Sequence, residues 1–121
     1  MQRKITGKVG EKIARQYFLD MGARLVAQNW HCRYGELDLV VIKDGKLIFV
    51  EVKSKISNRF GYAVEALTRK QLKRITKSCF CFLQEMTLVK FTGWRIDLIA
   101  LELDSNHKLI DLQHFKSIYL G

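Results

Sequence analysis

Asp38, Glu51 and Lys53 are the side chains in this sequence best suited to do chemistry together. Two apolar runs, Gly35 to Ile42 and Leu47 to Lys53, flank Lys43-Asp-Gly-Lys46, and Asp-Gly between such runs is a strong hairpin signal. With Asp44 and Gly45 as the central turn residues, Ile42 faces Leu47, Val40 faces Phe49, Asp38 faces Glu51 and Glu36 faces Lys53. A four-residue turn over 43–46 sets the same register. Residues two apart on a strand share a face, so Asp38, Glu51 and Lys53 are expected to project from one side. Directly opposed Cβ atoms lie about 4.5–5.5 Å apart, and two carboxylates that close repel each other.

The surroundings sharpen that conflict. Leu37, Leu39 and Val41 are expected on the opposite face against Ile48, Val50 and Val52, while the acidic face turns apolar toward the turn. A strand pair apolar on both faces is a central, covered one. Acids at its mouth are partly desolvated, which raises their pKa unless a cation compensates. Lys53 supplies one positive charge, and a divalent cation would supply the rest. Hard oxygen ligands suit Mg²⁺ or Mn²⁺. Such an ion can polarise a phosphodiester, offset developing charge and activate water, with the Lys53 ammonium orienting that water or stabilising the transition state. The competing reading is a structural cluster in which Lys53 neutralises the two acids.

The chain has 121 residues and no proline, repeat or linker, which suits a single domain over residues 1–121. A first helix is expected from about Gly7 to Met21, with Ile13, Ala14, Tyr17, Phe18 and Met21 at helical spacing and Gly22 just past the end. Arg24 to Trp30 reads as a short strand, ahead of the hairpin. Residues 54–66 read as a polar loop carrying Lys55, Arg59 and Gly61. Thr68 and Gln71 form a capping box, flanked by Leu67 and Leu72 at the spacing of a hydrophobic staple, and open a second helix that runs to about Glu85. A strand from Trp94 to Leu103, a turn at Asp104 to His107 and a strand from Leu109 to Phe115 complete the chain. The order αβββαββ implies an α/β fold with a mixed five-stranded sheet flanked by helices.

Lys and Arg total 21 against 12 acids, a formal charge of +9, which favours a polyanionic partner such as nucleic acid. Lys70, Lys73, Arg74 and Lys77 recur at helical spacing opposite Leu72, Ile75, Cys79 and Leu83. Such a stripe is either a solvated face or, with Lys55 and Arg59, a track for a phosphate backbone. Phosphate contacts position a strand without reading its sequence. Three cysteines without a Cys-x-x-Cys pair argue against a disulfide framework and a zinc site, and Cys79 and Cys81 read as small buried thiols. Trp30 and Trp94 read as packing residues, and His31, His107 and His114 lack ligand spacing. No apolar run is long enough to cross a bilayer, and the N-terminus lacks the apolar centre of a signal peptide. The expected location is the cytoplasm, with no membrane contact.

An acid on one strand followed by Glu-x-Lys on the next resembles the PD-(D/E)XK nuclease superfamily. More narrowly, Gly10-Glu11, Gly35-Glu-Leu-Asp38, Phe49-Val-Glu-Val-Lys53, Lys70 and Trp94-Arg-Ile-Asp97, in that order, resemble the YraN family of bacterial proteins, which is similar in fold to archaeal Holliday-junction resolvases. The resemblance spans about residues 7–115. Leu37 stands where the superfamily name has proline, and Ser54-Lys55 replaces a Lys/Arg-rich continuation. The resemblance implies a restriction-endonuclease-like fold and metal-dependent hydrolysis of DNA phosphodiester bonds, including those of branched or damaged DNA. It assigns Asp38 and Glu51 as ligands to Mg²⁺ or Mn²⁺, Lys53 as the catalytic lysine and Glu11 as an acid held near the metal by the first helix. It also raises a homodimer. From the residues alone, Glu11 lies at the margin of the apolar stripe and either faces the site or merely suits the helix macrodipole. Glu36 is either a supporting acid or a partner for Lys53, and Asp97 reads as a local salt bridge with Arg95. The alternative function is a nucleic-acid-binding module of this fold that does not cleave. A third is an interaction protein whose hairpin face is an assembly surface.

Overall fold

The computed structural model describes residues 2–56 and 67–118. Helix α1 (Gln2–Asp20) precedes β1 (Arg24–Cys32), β2 (Gly35–Lys43) and β3 (Lys46–Ile56); α2 (Arg69–Glu85), β4 (Gly93–Leu103) and β5 (Leu109–Phe115) follow. The strands form one mixed sheet in the order β1-β2-β3-β4-β5, in which β3 and β4 run parallel and the other neighbours antiparallel. This is the α/β arrangement expected from the element order.

Helix α1 starts well before Gly7, because the polar residues that lead it carry no apolar periodicity. It ends as Gly22 predicts. With φ at +92°, Gly22 donates its N–H to Leu19 O, and Ala23 donates to Phe18 O, each at 3.0 Å, the two bonds of a Schellman termination. Ala14 and Phe18 are fully buried, whereas Met21, expected on the same stripe, lies beyond the last turn and is 39% exposed. The cap of α2 is the expected one. Gln71 N donates to Thr68 Oγ1 at 3.0 Å and Thr68 N donates to Gln71 Oε1 at 2.9 Å, while Leu67 packs into the cluster that holds Leu72.

The Asp44-Gly45 turn places both residues at positive φ, +51° and +80°, which matches the twist of a two-residue hairpin. It sets Ile42 opposite Leu47 and Val40 opposite Phe49. Strand β3 is longer than the sequence suggests. Ser54 and Lys55, expected in a loop, pair with Leu101 and Glu102 of β4, whose backbone supplies the partners that a polar segment would otherwise seek in water. Arg59 and Gly61 lie outside the described residues.

One helix covers each face. Ala14 and Phe18 of α1 pack on Leu39, Val41, Ile48, Val50, Ile99 and Leu101. Leu72, Ile75, Cys79 and Phe82 of α2 pack on Val40, Leu47, Phe49 and Ile96. Trp30 meets Phe82 edge-on at 5.2 Å and Trp94 meets Phe49 at 5.6 Å, so both tryptophans serve packing. Cys79 is buried as expected, but Cys81 is only partly so. Among the described residues no helix is long and apolar enough to cross a membrane.

Contact between α1 and β3 depends on Gly10. A Cβ there would collide with Ser54 Oγ and come within 2.9 Å of Ser54 Cβ. Gly10→Ala is therefore expected to destabilise the protein by about 1–3 kcal/mol. Gly7→Ala, where an added Cβ meets nothing within 4 Å, should stabilise by up to about 1 kcal/mol through helix propensity. Urea unfolding of the two variants checks the contrast.

Candidate active site

The β2–β3 ladder runs from Lys43 and Lys46 as far as Leu39 and Val50. Beyond that point β2 keeps pairing with β1, through Gly35 and Cys32, while β3 keeps pairing with β4, through Ile56 and Leu103. The two strands therefore part at Asp38, and the acids gather in the fork. Asp38 and Glu51 are not ladder partners, which corrects the expected pairing. Asp38 instead turns its carboxylate across the gap, where Oδ2 accepts the Val52 N–H at 2.8 Å. That amide has lost its ladder acceptor, and a carboxylate satisfies it.

The fork also breaks the alternation of side chains. Leu39 packs under α1 but Leu37 packs under α2, although two residues apart should share a face. The slip coincides with Asp38 and with Asn29, which is absent from the β1–β2 ladder and has φ at +51°. Leu37 is thus on the side opposite to the expected one. Asp38 sits between the faces, and Glu51 and Lys53 follow the α2 side.

Lys53 Nζ lies 3.9 Å from Glu51 Oε1. Glu36, expected opposite Lys53, is paired in register with His31, and its carboxylate lies 3.7 Å from that ring. In the amide orientation that satisfies both neighbours, Asn29 donates to Glu11 Oε1 and to Glu36 Oε1, each at 3.0 Å. Because α1 begins at Gln2, Glu11 stands in mid-helix, and the macrodipole reading fails. Glu11 lines a cavity of about 560 Å³ together with Asp38, Glu51, Lys53 and Lys55. A smaller hollow of about 210 Å³ on the α2 side is lined by Tyr34, Glu51, Lys53, Gln71, Arg74 and Ser78. Glu51 and Lys53 belong to both.

Electrostatics mark the fork as short of positive charge. Burial, then the charge of Asp38, pushes the Glu51 carboxyl up to about 9. Burial also raises Asp38, against the opposing effects of the Val52 amide and a hydrogen bond with Glu51. Near neutrality the Glu51 carboxyl therefore keeps its proton in the absence of a cation, beside an Asp38 carboxyl that burial also raises. Glu11 is raised as well, by burial first and by Asp38 second. Among the described residues no three His, Cys, Asp or Glu side chains converge as a ready metal cage. Two hard carboxyl groups in one fork still fit Mg²⁺ or Mn²⁺, since such ions commonly take one or two carboxylates and keep water in their other positions.

The basic residues divide. Lys55 lines the larger cavity from β3, not from a loop. Lys70, Lys73, Arg74 and Lys77 are exposed along α2. Of these, Arg74 reaches the smaller hollow, and Lys77 Nζ stands 5.6 Å from the centre of the Tyr34 ring. Gln71 caps α2 and also lines that hollow. Asn29, Tyr34 and Ser78 carry no motif, and only the fold brings them here.

Asp97 lines neither cavity. Fully buried, it accepts from Arg95 Nε at 2.9 Å and from Ser117 N at 3.0 Å, and its Oδ2 lies 2.7 Å from His114 Nε2. Burial alone would raise its carboxyl, yet the His114, Arg95 and Ser117 bonds hold it below the usual range. The ion pair with Arg95 is the one the sequence suggests. His114, which spacing leaves without a role, joins Asp97 to the Tyr17 hydroxyl, 2.9 Å from Nδ1.

Residues 10–101 match the family described as Uncharacterised protein family UPF0102. A UPF0102 protein of Herpetosiphon aurantiacus is 35% identical over 120 residues, which cover 96% of this chain and 94% of that protein. One from Pelotomaculum thermopropionicum is 34% identical over 97% of both chains. A third, from Syntrophomonas wolfei, is 42% identical over 69% of this chain and 72% of its own.

Proposed function

The chain belongs to the uncharacterised protein family UPF0102, and from that premise and the geometry of the fork we propose that it is a divalent-metal-dependent endonuclease acting on DNA, of the PD-(D/E)XK type. The observation that carries this reading is the pair of buried carboxyls, Asp38 and Glu51, held where β2 and β3 part, with Lys53 beside them. A fold gains nothing from burying two acids that repel, whereas a cation site requires them.

Asp38 and Glu51 are the residues that would hold Mg²⁺ or Mn²⁺. When bound, such an ion supplies Lewis acidity at a phosphate oxygen and charge to offset the trigonal-bipyramidal transition state. The Val52 amide fixes the Asp38 carboxylate, so that ligand is oriented before substrate arrives. Lys53, tethered by Glu51, is placed to stabilise negative charge developing on the phosphoryl oxygens. Glu11, steadied by Asn29, adds a third acid, at the rim, that can accept a proton. Lys55 and Arg74 at the cavity edges, with Lys70, Lys73 and Lys77 along α2, give the DNA backbone a cationic path toward the fork.

The test is a panel of single-stranded, duplex, flapped and four-way-junction DNA incubated with and without Mg²⁺ or Mn²⁺. Cleavage of at least one substrate, abolished by chelator, is the expected result. Binding of DNA without cleavage of any member in either metal supports the non-cleaving module instead.

A further inference from the structure

We propose that the smaller hollow, on the α2 side of the fork, is a phosphate subsite that anchors the strand beside the bond to be cut. The proposal rests on the nuclease reading and adds to it the place where a second phosphate of the substrate sits. Tyr34, Lys53, Gln71, Arg74 and Ser78 line the hollow, and what they share is an excess of hydrogen-bond donors. Gln71 Oε1 already accepts the Thr68 N–H at 2.9 Å, so its amide nitrogen keeps both hydrogens to give. Ser78 Oγ accepts the Cys32 S–H at 3.4 Å, and Tyr34 Oη accepts from Arg33 Nη2 at 2.7 Å. Each hydroxyl therefore has its own hydrogen left, with no acceptor for it among the described residues. Ser78 is only 1% exposed, and a donor held that deep calls for an acceptor.

Charge agrees with the supply of donors. Among the described residues Arg74 makes no ion pair, and Lys53 is engaged only by Glu51, at 3.9 Å. Glu36, the other carboxyl on the lining, is turned to Asn29 and His31, at 3.0 and 3.7 Å. A tetrahedral oxyanion answers such a set, since its oxygens accept and a guanidinium can bind it through two parallel N–H groups. Size narrows the ligand to a chemical group. Pockets for whole small molecules run about 300–1,000 Å³, whereas this hollow has about 210 Å³. That is room for a phosphate and a few waters at about 30 Å³ each. Lys53 and Glu51 line the larger cavity as well, so the subsite adjoins the fork through one shared ammonium. A strand held there is fixed in register without its sequence being read. The phosphate comes either from the adjoining internal phosphodiester or from a terminal monoester, and both present the same non-bridging oxygens.

Titration of inorganic phosphate into the full-length protein in chelator-containing buffer, followed by heteronuclear NMR, supplies the test. The Gln71 side-chain amide and the Arg74 Nε–H should shift together and saturably, and chloride at equal ionic strength should move neither. Arg74→Gln and Ser78→Ala should each weaken phosphate binding about tenfold, the usual cost of one lost bond to a charged group, with Arg74→Lys recovering part of it. Lys90→Gln, which removes the same charge from the groove beside Ile42 at the turn end of the hairpin, should change nothing. Short single strands then separate the two sources. If a terminal monoester fills the hollow, removing the end phosphate should lower affinity in the wild type but not in Arg74→Gln. If an internal diester fills it, end phosphates should have no effect, and one uncharged methylphosphonate linkage should reproduce the loss. Absent or unsaturable shifts, or equal phosphate affinity in the wild type, Arg74→Gln and Ser78→Ala, would overturn the subsite. No metal or cleavage enters this readout. DNA cleavage without these shifts would therefore remove the subsite alone, and the shifts without cleavage would remove the nuclease reading alone.

Discussion

Asp38→Asn and Glu51→Gln are each expected to lower Mg²⁺-dependent cleavage by about 10³-fold or more, with both proteins still folded. The magnitude follows from the several kcal/mol of transition-state stabilisation that a bound divalent ion contributes, at about 1.4 kcal/mol per tenfold. Either substitution keeps the side-chain shape but removes a hard anionic ligand. Lys53→Ala should cost about 10²–10³-fold, the usual loss for one preorganised donor to a developing oxyanion. Its effect should fall on kcat and leave metal affinity nearly unchanged. Single-turnover rates for the three variants, with circular dichroism to confirm folding, give the comparison. Cleavage retained in both acidic variants would remove the fork from any catalytic role.

The second large effect is on stability, and its sign is opposite to that of most buried substitutions. In chelator-containing buffer Glu51→Gln should be more stable than the wild type, and the advantage should grow as the pH rises. The Glu51 carboxyl titrates near 4.5 in the unfolded chain and near 9 in the folded one. Between those values the folded protein holds a proton that the unfolded chain has released, so raising the pH favours unfolding, by at most about 1.4 kcal/mol per unit. Below 4.5 both states are protonated and the penalty vanishes; above about 9 it stops growing. At pH 8 an advantage of about 2–4 kcal/mol is expected, since the side chain is only 14% exposed and little of the effect is lost to solvent. Saturating Mg²⁺ should narrow the gap by stabilising the wild type alone. Denaturant unfolding at several pH values measures all three behaviours. A gap that does not change with pH would mean that Glu51 is ionised in the folded protein without a cation. Function and stability are thus set against each other at this residue, as at many active sites.

Much of this architecture is legible in the sequence, because the signals are local. Asp44-Gly45 fixes the hairpin register, Thr68 with Gln71 fixes the start of α2, and Gly22 fixes the end of α1; each acts through bonds within a few residues. Ser54 and Lys55 mislead because their strand pairing depends on β4, some forty-seven residues away along the chain, and nothing in their own polarity announces it. The site is legible in part for the same reason. Asp38, Glu51 and Lys53 do meet, but extending the hairpin ladder past Leu39 is wrong, since local alternation cannot foresee that β1 and β4 draw the two strands apart. The parting is what moves Leu37 to the other face and sends Glu36 toward Asn29. Glu11 depends on where α1 begins, which its polar leading residues conceal. Asn29, Tyr34, Ser78 and the His114–Asp97 contact have no sequence pattern, because each arises from tertiary packing between distant elements.

Calorimetric titration of Mn²⁺ into the metal-free protein near pH 7.5, in two buffers of different ionisation heat, counts the protons displaced on binding. If one ion takes the place of the proton that Glu51 keeps near neutrality, about one proton should leave per metal bound, and Glu51→Gln should bind far more weakly and release none. Binding with no proton release, or with equal affinity in the variant, would contradict a metal site in the fork.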